Sequence, residues 1–491
     1  MTNTAKLILL PVIYLFMTGG LIAADRPNIL MIVSEDNGPE LGCYGISEVR
    51  TPVLDAFAEE GILFTRAYVT QAGCSPARGS IYTGLFPNQN GQVGLATWNF
   101  ELYSPKIPNL VRGLKDAGYR TGIIGKLHIN PAKAFPFDFA EKSTANFERE
   151  GLDEYAAFSS EFINASDKPF FLAVNYPDAH RPWIPQAEGL PVNPLTGEDV
   201  RPMPYLGVDT PDIRQIVADH YNCMERLDTL VGDLLDVLDK SGKSRNTLVI
   251  YLGDHGADML RGKRTSYEGG VRIPFIMRWP NGFPKGQRRD EFVSIADLMP
   301  TFLELAGGKI PKVQDGQSMV SMITGKSNKW RKYLFTEFHT HAAGENFYPQ
   351  RSVRNDRFKL IENLLPDEVN PGYEFAMRLS RTNADFKKAL ESAPAEVQSA
   401  YKLMERPIRW EFYDLEADPY EFNNLSEDPA HRKIMKELQA ELKNWRVQTN
   451  DPLLDPAILN KFKQEVYSIP DKKSSKKHDW QYPYYFGRRE K

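Results

Sequence analysis

The chain has 491 residues, of which 42% are hydrophobic and 25% charged, and its formal net charge is −4. These are globular values that exclude a disordered or membrane-embedded chain, and the length exceeds that of one ordinary domain. A slightly acidic chain is also not a general nucleic-acid binder, because such proteins carry a basic face. An anionic substrate is compatible with this composition only where cations are gathered locally.

The first 24 residues predict a signal peptide. Lys6 precedes an apolar stretch at 7–16, and small residues close the segment at 18–24, which is the order of a secretory signal. The apolar stretch is shorter than the roughly 20 residues that a spanning helix needs, although an uncleaved anchor is the alternative. We expect the mature chain to begin near Asp25, to be exported to a periplasm or secreted, and to have no membrane attachment after cleavage.

Strands and helices alternate over residues 25–325, which we predict to be the catalytic domain. Apolar runs that suit strands buried on both faces of a parallel sheet occur at 26–33, 121–125, 170–175, 247–252 and 274–277. Helical spacing of apolar residues is found between them at 51–60, 107–117 and 213–240. This alternation predicts an α/β fold with a large, mostly parallel central sheet flanked by helices. Ligands of such sheets bind beyond the carboxyl ends of the strands.

A smaller C-terminal subdomain is predicted over residues 326–491. Short strand candidates occur at 333–338, 351–353, 358–362 and 411–415, with a helix at 429–447. This pattern predicts a short antiparallel sheet with a helix. The polar tail from residue 471 is expected to be loosely held, although its aromatic segment at 480–486 could dock.

Acidic residues stand at the ends of two predicted strands. Glu35 and Asp36 follow the first strand, and Asp254 and His255 follow the fourth. Adjacent carboxylates repel each other unless a cation lies between them, and Ca²⁺ takes about six to eight oxygen ligands. Either pair alone is better explained by turn or cap residues, but two pairs on neighbouring strands favour a divalent ion. His255 is an unusual Ca²⁺ ligand, so another divalent ion is an alternative.

Cys74 is one of only three cysteines, with Cys43 and Cys223. Pro76 is suited to the first turn of a helix, so Cys74 lies at a helix mouth whose N–H groups favour an anion. Arg78 can reach back to the same ligand. From position alone Cys74 could be a buried apolar residue, half of a disulfide, a thiolate nucleophile or the precursor of a modified residue.

Several motifs give the chain a family resemblance. They are Cys-Ser-Pro-Ala-Arg at 74–78 with Gly-Ser-x-x-Thr-Gly at 79–84, Gly-Lys-Leu-His at 125–128, Asp-Ala-His-Arg-Pro at 178–182, Asp-His-Gly at 254–256 and Gly-Lys at 262–263. In these motifs the chain resembles the type I sulfatases of the alkaline phosphatase superfamily, from Arg26 to about Asp451. The resemblance implies an alkaline-phosphatase-like sandwich fold. It also implies oxidation of Cys74 to formylglycine by a formylglycine-generating or anaerobic maturation enzyme.

The resemblance further implies a role for each matching residue. The implied metal ligands are Glu35, Asp36, Asp254, His255 and the modified Cys74, and the implied sulfate-binding cations are Arg78, Lys126 and Lys263. His128 would assist proton removal at position 74, and His180 would protonate the leaving group. The implied substrate contacts are Asp178, His341 and Arg351. Glu35 stands where the family usually has Asp. For His341 and Arg351 the alternative is a structural tie between the two domains.

The substrate prediction also rests on resemblance. Segments at 83–95, 120–126, 136–139, 349–353 and 409–414 look closest to the heparan N-sulfatases. They imply hydrolysis of the N-sulfate of glucosamine in heparan sulfate or heparin. The alternatives are an O-sulfatase for another sulfated polysaccharide, because residues 96–100 depart from the pattern, a phosphodiesterase or phosphonate hydrolase, and a non-catalytic binder of sulfated glycans. A homodimer is compatible with the sequence.

Overall fold

The computed structural model describes residues 26–379 and 384–489. The predicted signal peptide lies outside these residues. Within the described part, no helix is both long and apolar enough to cross a membrane.

The larger of two sheets has nine strands. They are β1 (Asn28–Ser34), β2 (Ile62–Tyr68), β3 (Arg120–Gly125), β4 (Phe139–Glu141), β5 (Phe170–Tyr176), β6 (Thr247–Gly253), β7 (Arg272–Arg278), β8 (Gln287–Arg289) and β9 (Val293–Ser294). Their order is β4-β3-β5-β1-β6-β7-β2-β8, with β9 also paired to β2. The neighbours from β4 to β6 are all parallel, whereas β7 runs antiparallel to both β6 and β2. The predicted mostly parallel sheet is therefore confirmed.

The helices lie on both faces of this sheet and around the C-terminal part. They are α1 (Pro52–Glu59), α2 (Cys74–Thr83), α3 (Pro87–Asn90), α4 (Leu110–Asp116), α5 (Glu154–Asn164), α6 (Pro211–Lys240), α7 (Glu268–Val271), α8 (Leu298–Leu305), α9 (Val320–Ile323), α10 (Pro371–Leu379), α11 (Ala384–Glu391), α12 (Ala395–Glu405), α13 (Arg432–Gln448), α14 (Pro456–Tyr467), α15 (Lys472–Ser475) and α16 (Tyr482–Tyr485).

Strand β1 shows why the sheet is covered on both sides. Successive side chains of a strand point to opposite faces. Met31 therefore joins the core formed with α2, α4 and α8, whereas Ile32 joins the core formed with α1, α5 and α6. Both side chains are fully buried, which explains the unbroken apolar run in the sequence.

The second sheet is antiparallel, as predicted. Its strands are β10 (Leu334–Phe338), β11 (Gln350–Arg354), β12 (Phe358–Asn363) and β13 (Trp410–Asp414). Helix α13 covers one face through Leu438 and Trp445, and Tyr267 of the larger unit packs on the other face. The predicted domain boundary at residue 325 falls between α9 and β10 and stays a prediction.

The tail departs from the sequence-based expectation of a loosely held segment. Trp480 stacks on Phe100 with ring centroids 4.2 Å apart, and Tyr482 donates from its hydroxyl to the Gly91 carbonyl at 2.8 Å. Both aromatic side chains are buried. These two aromatic side chains within 480–486 therefore hold a segment whose charged neighbours favour exposure to solvent.

Candidate active site

The register of β1 and β6 brings the two acidic pairs together. These strands are parallel neighbours with Ser34 opposite Gly253, so the residues that follow them leave the same edge of the sheet. The Asp36 amide donates to Oδ1 of Asp254 at 2.9 Å, with Asp36 in the left-handed region at φ 52°. All four side chains of the two pairs are buried.

Cys74 is the first residue of α2 and faces these acids. Its Sγ lies 3.2 Å from Nε2 of His255 and 3.9 Å from Oδ1 of Asp36. Cys74 is unpaired, as are Cys43 and Cys223, so the disulfide alternative is wrong for this fold. Burial opposes ionisation, but Lys126 and Lys263 lower the pKa of the Cys74 thiol well below its usual range.

Three buried cations surround the acids. Nε of Arg78 donates to Oδ2 of Asp254 at 3.1 Å. Lys126 Nζ donates to Oε2 of Glu35 at 2.7 Å. Lys263 Nζ donates to both carboxylate oxygens of Asp36, at 2.8 and 3.0 Å. The sequence-predicted cations are thus brought together at the end of the sheet.

The buried charges of this cluster balance. Three carboxylates, those of Glu35, Asp36 and Asp254, face the three cations Arg78, Lys126 and Lys263. A fourth buried carboxylate, Asp258, lies 3.9 Å from Lys263 and is matched by the buried Arg264. Adding a divalent cation to a buried, balanced cluster leaves an excess of positive charge, which is costly in a low-dielectric interior unless an anion accompanies it. The site is therefore suited to take a divalent cation and an anion together.

The donor set fits a divalent ion. Nδ1 of His255 lies 2.9 Å from the Gly256 carbonyl, so the Nδ1–H tautomer leaves Nε2 facing Oδ1 of Asp36 at 3.3 Å and Oδ1 of Asp254 at 3.6 Å. Such fixing of the tautomer is typical of metal-ligating histidines. Burial lowers the pKa of His255, but Asp254 and Cys74 outweigh it and raise the pKa to about 9. A proton there occupies the space that a cation would fill.

Glu35 is placed differently from the other predicted metal ligands. The ligand atoms of Cys74, Asp254 and His255 form one group close enough to hold an ion, and those of Cys74, Asp36 and His180 form a second. The Glu35 carboxylate contacts Lys126, and its Oε1 lies 3.6 Å from Arg78. Its longer side chain thus reaches the cations of the site, and a role as metal ligand stays a prediction.

His128 and His180 flank Cys74 and differ in their titration. Burial and Lys126 lower the pKa of His128 to about 4, against the opposing effect of Cys74. For His180 burial lowers the pKa, but Asp36 outweighs it and the net shift is upward. A neutral imidazole suits a proton acceptor and a protonated one suits a proton donor, so these shifts are compatible with the two predicted roles, which stay predictions.

Two of the residues predicted to contact the substrate lie in buried ion pairs. Asp178 is fully buried and accepts hydrogen bonds from Arg149 and Arg226. Arg351 is also fully buried and donates bidentately to Asp451 at 2.8 and 2.9 Å. Both side chains are thus held in buried ion pairs in this structure, and their contact with substrate stays a prediction.

His341 does reach the site. A Cβ added to Gly73, the residue before Cys74, would lie 3.2 Å from Nδ1 of His341. That nitrogen is buried and makes no hydrogen bond to the described chain. Of the predicted contacts from the small sheet, the structure brings His341 to the centre and leaves Arg351 within an ion-pair network.

Sequence reasoning missed Asn175 and Arg149. Oδ1 of Asn175 accepts from Arg78 at 2.7 Å. Asn175 stands near the carboxyl end of β5, where site residues of such sheets are expected, so its position in the sequence could have indicated a role in the site. Arg149 donates to Asp178 and to the His180 carbonyl. No motif surrounds Arg149, so its role depends on tertiary contacts alone.

Family models match most of the chain. The model described as Sulfatase matches residues 27–308. The model described as N-sulphoglucosamine sulphohydrolase, C-terminal, matches residues 253–373 and 391–448. The two matches together span both sheets.

Individual proteins show the same similarity. The chain is 31% identical to a human N-sulphoglucosamine sulphohydrolase, over 89% of this chain and 93% of that protein. It is 28% identical to an ulvan-active sulfatase of Formosa agariphila, over 89% of this chain and 83% of the relative. A solved structure in complex with its substrate D-glucosamine-2-N,6-O-disulfate superposes with a TM-score of 0.65 at 20% identity, covering 87% of this chain and 98% of that one.

Proposed function

The chain belongs to the sulfatase family, whose members hydrolyse sulfuric esters, and from this premise we propose that it removes the N-sulfate of glucosamine residues in heparan sulfate or heparin oligosaccharides. The observation that carries the proposal is Cys74 at the mouth of α2, enclosed by balanced carboxylates and cations. Cys74 acts after oxidation to formylglycine by a maturation enzyme, and Ca²⁺ is the proposed ion.

Similarity in the small sheet supports the N-sulfate. The human relative named for N-sulphoglucosamine is similar over 89% of this chain, and the matching C-terminal model carries the same name. Residues outside the reacting centre usually decide which sugar a hydrolase accepts. An O-sulfated polysaccharide is the second candidate, which the similarity to the ulvan-active sulfatase supports.

The proposed reaction has two displacement steps at residue 74. The formylglycine aldehyde adds water and presents two hydroxyls. One loses its proton to His128 and attacks sulfur, a new S–O bond forms, and the S–N bond of the substrate breaks. The amine leaves with a proton from His180. The second hydroxyl then gives its proton to the His180 imidazole, which the first step left neutral, the C–O bond to the sulfate breaks, and the aldehyde is restored with free sulfate as the product.

The cations and the ion act on the developing charge. Arg78, Lys126 and Lys263 bind the sulfate oxygens, which requires that Lys126 and Lys263 turn from the carboxylates that they contact here. A bound divalent cation supplies Lewis-acid polarisation of the oxygens at sulfur. Asp36, Asp254, His255 and residue 74 would hold it, with Glu35 as a further proposed ligand.

The proposal includes the cellular setting. Residues 1–24 would direct export of the chain to a periplasm or the outside and would be removed from the mature protein. The maturation enzyme would act on the 74–78 motif. A homodimer is a further proposal for the mature protein.

The test is a panel of defined oligosaccharides that carry N-sulfate, 6-O-sulfate or 2-O-sulfate singly, with matched phosphate and phosphonate esters. Released sulfate, phosphate and, for the phosphonate ester, the alcohol are measured with Ca²⁺-loaded enzyme whose residue 74 is shown by mass spectrometry to be the aldehyde. We expect the highest kcat/KM for the N-sulfated sugar. Preference for an O-sulfate would make the second candidate correct, and preference for the phosphorus esters would refute a sulfatase activity of this site.

A further inference from the structure

Phe147 lies beside the proposed proton donor with its ring open to solvent. Its side chain is 41% exposed, and it is the only exposed phenylalanine among the described residues. Its ring centroid lies 4.9 Å from that of His180, with 40° between the ring planes. Single exposed apolar side chains are common on protein surfaces, so the exposure of Phe147 is informative only because its ring lies against His180.

A buried guanidinium fixes Phe147 relative to His180. Arg149 donates through Nη1 to the Phe147 carbonyl at 2.7 Å and through Nη2 to the His180 carbonyl. Its Nε donates to Asp178 at 2.8 Å, and its side chain is fully buried. One side chain thus ties the two loops together, so the exposed ring and the imidazole keep a fixed relation.

We infer that Phe147 is the stacking platform for the sugar ring that carries the sulfate. The inference rests on the proposed function. His180 donates its proton to the atom that joins the sugar to sulfur, so the sugar ring lies next to the His180 imidazole. The exposed face of Phe147 is available at that position for the C–H groups of a pyranose ring, and a rigid aromatic ring contributes such contact area at low entropic cost.

The chemistry of the ring separates this role from sulfate binding. Phe147 has no hydrogen-bonding group, whereas the sulfate-binding cations are Arg78, Lys126 and Lys263. Loss of the phenyl ring should therefore weaken binding of a sugar sulfate and leave binding of inorganic sulfate unchanged. A general disturbance of the site would weaken both.

The experiment uses the full mature chain with Ca²⁺ and a Cys74→Ala substitution, which prevents turnover. Dissociation constants are measured by calorimetry for N-sulfoglucosamine, galactose 6-sulfate and inorganic sulfate. The test variants are Phe147→Ala and Phe147→Tyr in this background. Tyr420→Ala is the matched control, because Tyr420 is 39% exposed and its ring packs beside Phe422.

Of the two sugar sulfates, we consider the one that the parent binds more tightly. We expect Phe147→Ala to raise its dissociation constant about tenfold, or ~1.4 kcal/mol. Phe147→Tyr and Tyr420→Ala should bind like the parent, and all variants should bind inorganic sulfate equally. The inference is overturned if Phe147→Ala binds the sugar as tightly as the parent, or if inorganic sulfate weakens by the same factor. It is also overturned if the parent binds neither sugar more tightly than inorganic sulfate. If the Cys74→Ala parent binds galactose 6-sulfate more tightly than N-sulfoglucosamine, the proposed N-sulfated substrate is contradicted but the role of Phe147 is not. The effect of Phe147→Ala on galactose 6-sulfate binding then tests that role.

Discussion

At the scale of single residues, Asp178 shows how a motif residue can act through its neighbours. Burial raises the pKa of Asp178, but Arg226 and Arg149 outweigh it and hold the pKa below its usual range. The same carboxylate anchors the loop whose backbone pairs with Glu35, since the Glu35 amide donates to the Asp178 carbonyl at 3.0 Å. Asp178 therefore contributes to the placement of His180, because Arg149 donates both to the Asp178 carboxylate and to the His180 carbonyl.

Asp178→Asn should unfold more easily and turn over more slowly. Removing one partner of a buried ion pair costs about 3–5 kcal/mol because the remaining charges are uncompensated. We expect that loss in denaturant titrations, together with a fall in kcat. Asp356→Asn, with its side chain 79% exposed, is the control and should change neither. A Asp178→Asn variant of normal stability with only a raised KM would support the original substrate-contact prediction.

The charge balance of the site can be tested by substituting Lys263. Its burial lowers the pKa, but Asp36 and Cys74 outweigh it and keep the amine charged. Lys263→Met removes one of the three cations, so the cluster without an ion carries excess negative charge. We expect Ca²⁺ to bind this variant about tenfold more tightly or better, measured by calorimetry and by the rise of Tm with added CaCl₂. The exposed Lys332→Met is the control. Equal Ca²⁺ affinity in wild type and Lys263→Met would contradict the proposed balance.

At the scale of elements, sequence patterns predicted the strands whose side chains are buried on both faces of the sheet. The strands β1, β5 and β6 are apolar along most of their length because each lies between two layers of helices. The strand β2 was missed because Thr65 and Arg66 interrupt its apolar run, and the structure has an irregular register there. The order of the strands, and hence the meeting of Asn175 with Arg78, depends on long-range pairing that no local pattern encodes.

The docked tail supports a loop beside the centre. Trp480 is 3% exposed and donates from Nε1 to the Trp98 carbonyl at 3.0 Å. The same loop donates from the Ala96 amide to Oγ of Ser75, next to Cys74, at 2.9 Å. The C-terminal segment therefore contributes to the wall of the site.

Trp480→Ala should destabilise the protein and loosen this wall. Removing a buried Trp side chain typically costs about 3–5 kcal/mol, so we expect a lower Tm and a raised KM. Hydrogen exchange of residues 94–100 should become faster in the variant. Gln481→Ala changes a neighbouring, less buried side chain and should leave both values unaltered. Unchanged exchange in the loop would contradict a supporting role of the tail.

At the scale of the whole molecule, a buried carboxyl lies between the two sheets. Glu337 on β10 accepts from the Asn88 amide, which follows α2 in the larger unit, at 2.8 Å. Burial raises the pKa of Glu337 to about 8, against the effect of Arg351. The folded chain thus keeps a proton that the unfolded chain releases near pH 4.5.

This proton makes the stability depend on pH. Because the folded pKa is raised, the stabilising contribution is complete below about pH 4.5 and is lost as the pH rises through about 8. Glu337→Gln cannot ionise, so its Tm should fall less than that of wild type between about pH 5 and pH 8.5. Thermal unfolding at matched ionic strength measures this, and parallel Tm curves for the two proteins would contradict the assignment.

The central claim is that Cys74 acts only after conversion to the aldehyde. Co-expression with graded amounts of a maturation enzyme gives preparations that differ in the converted fraction of residue 74, which peptide mass spectrometry quantifies. In each, the initial rate of sulfate release from an N-sulfated glucosamine oligosaccharide is measured with saturating Ca²⁺. The account predicts a rate proportional to the aldehyde fraction, with none at zero conversion and none for Cys74→Ala. A rate that is independent of the aldehyde fraction would contradict it.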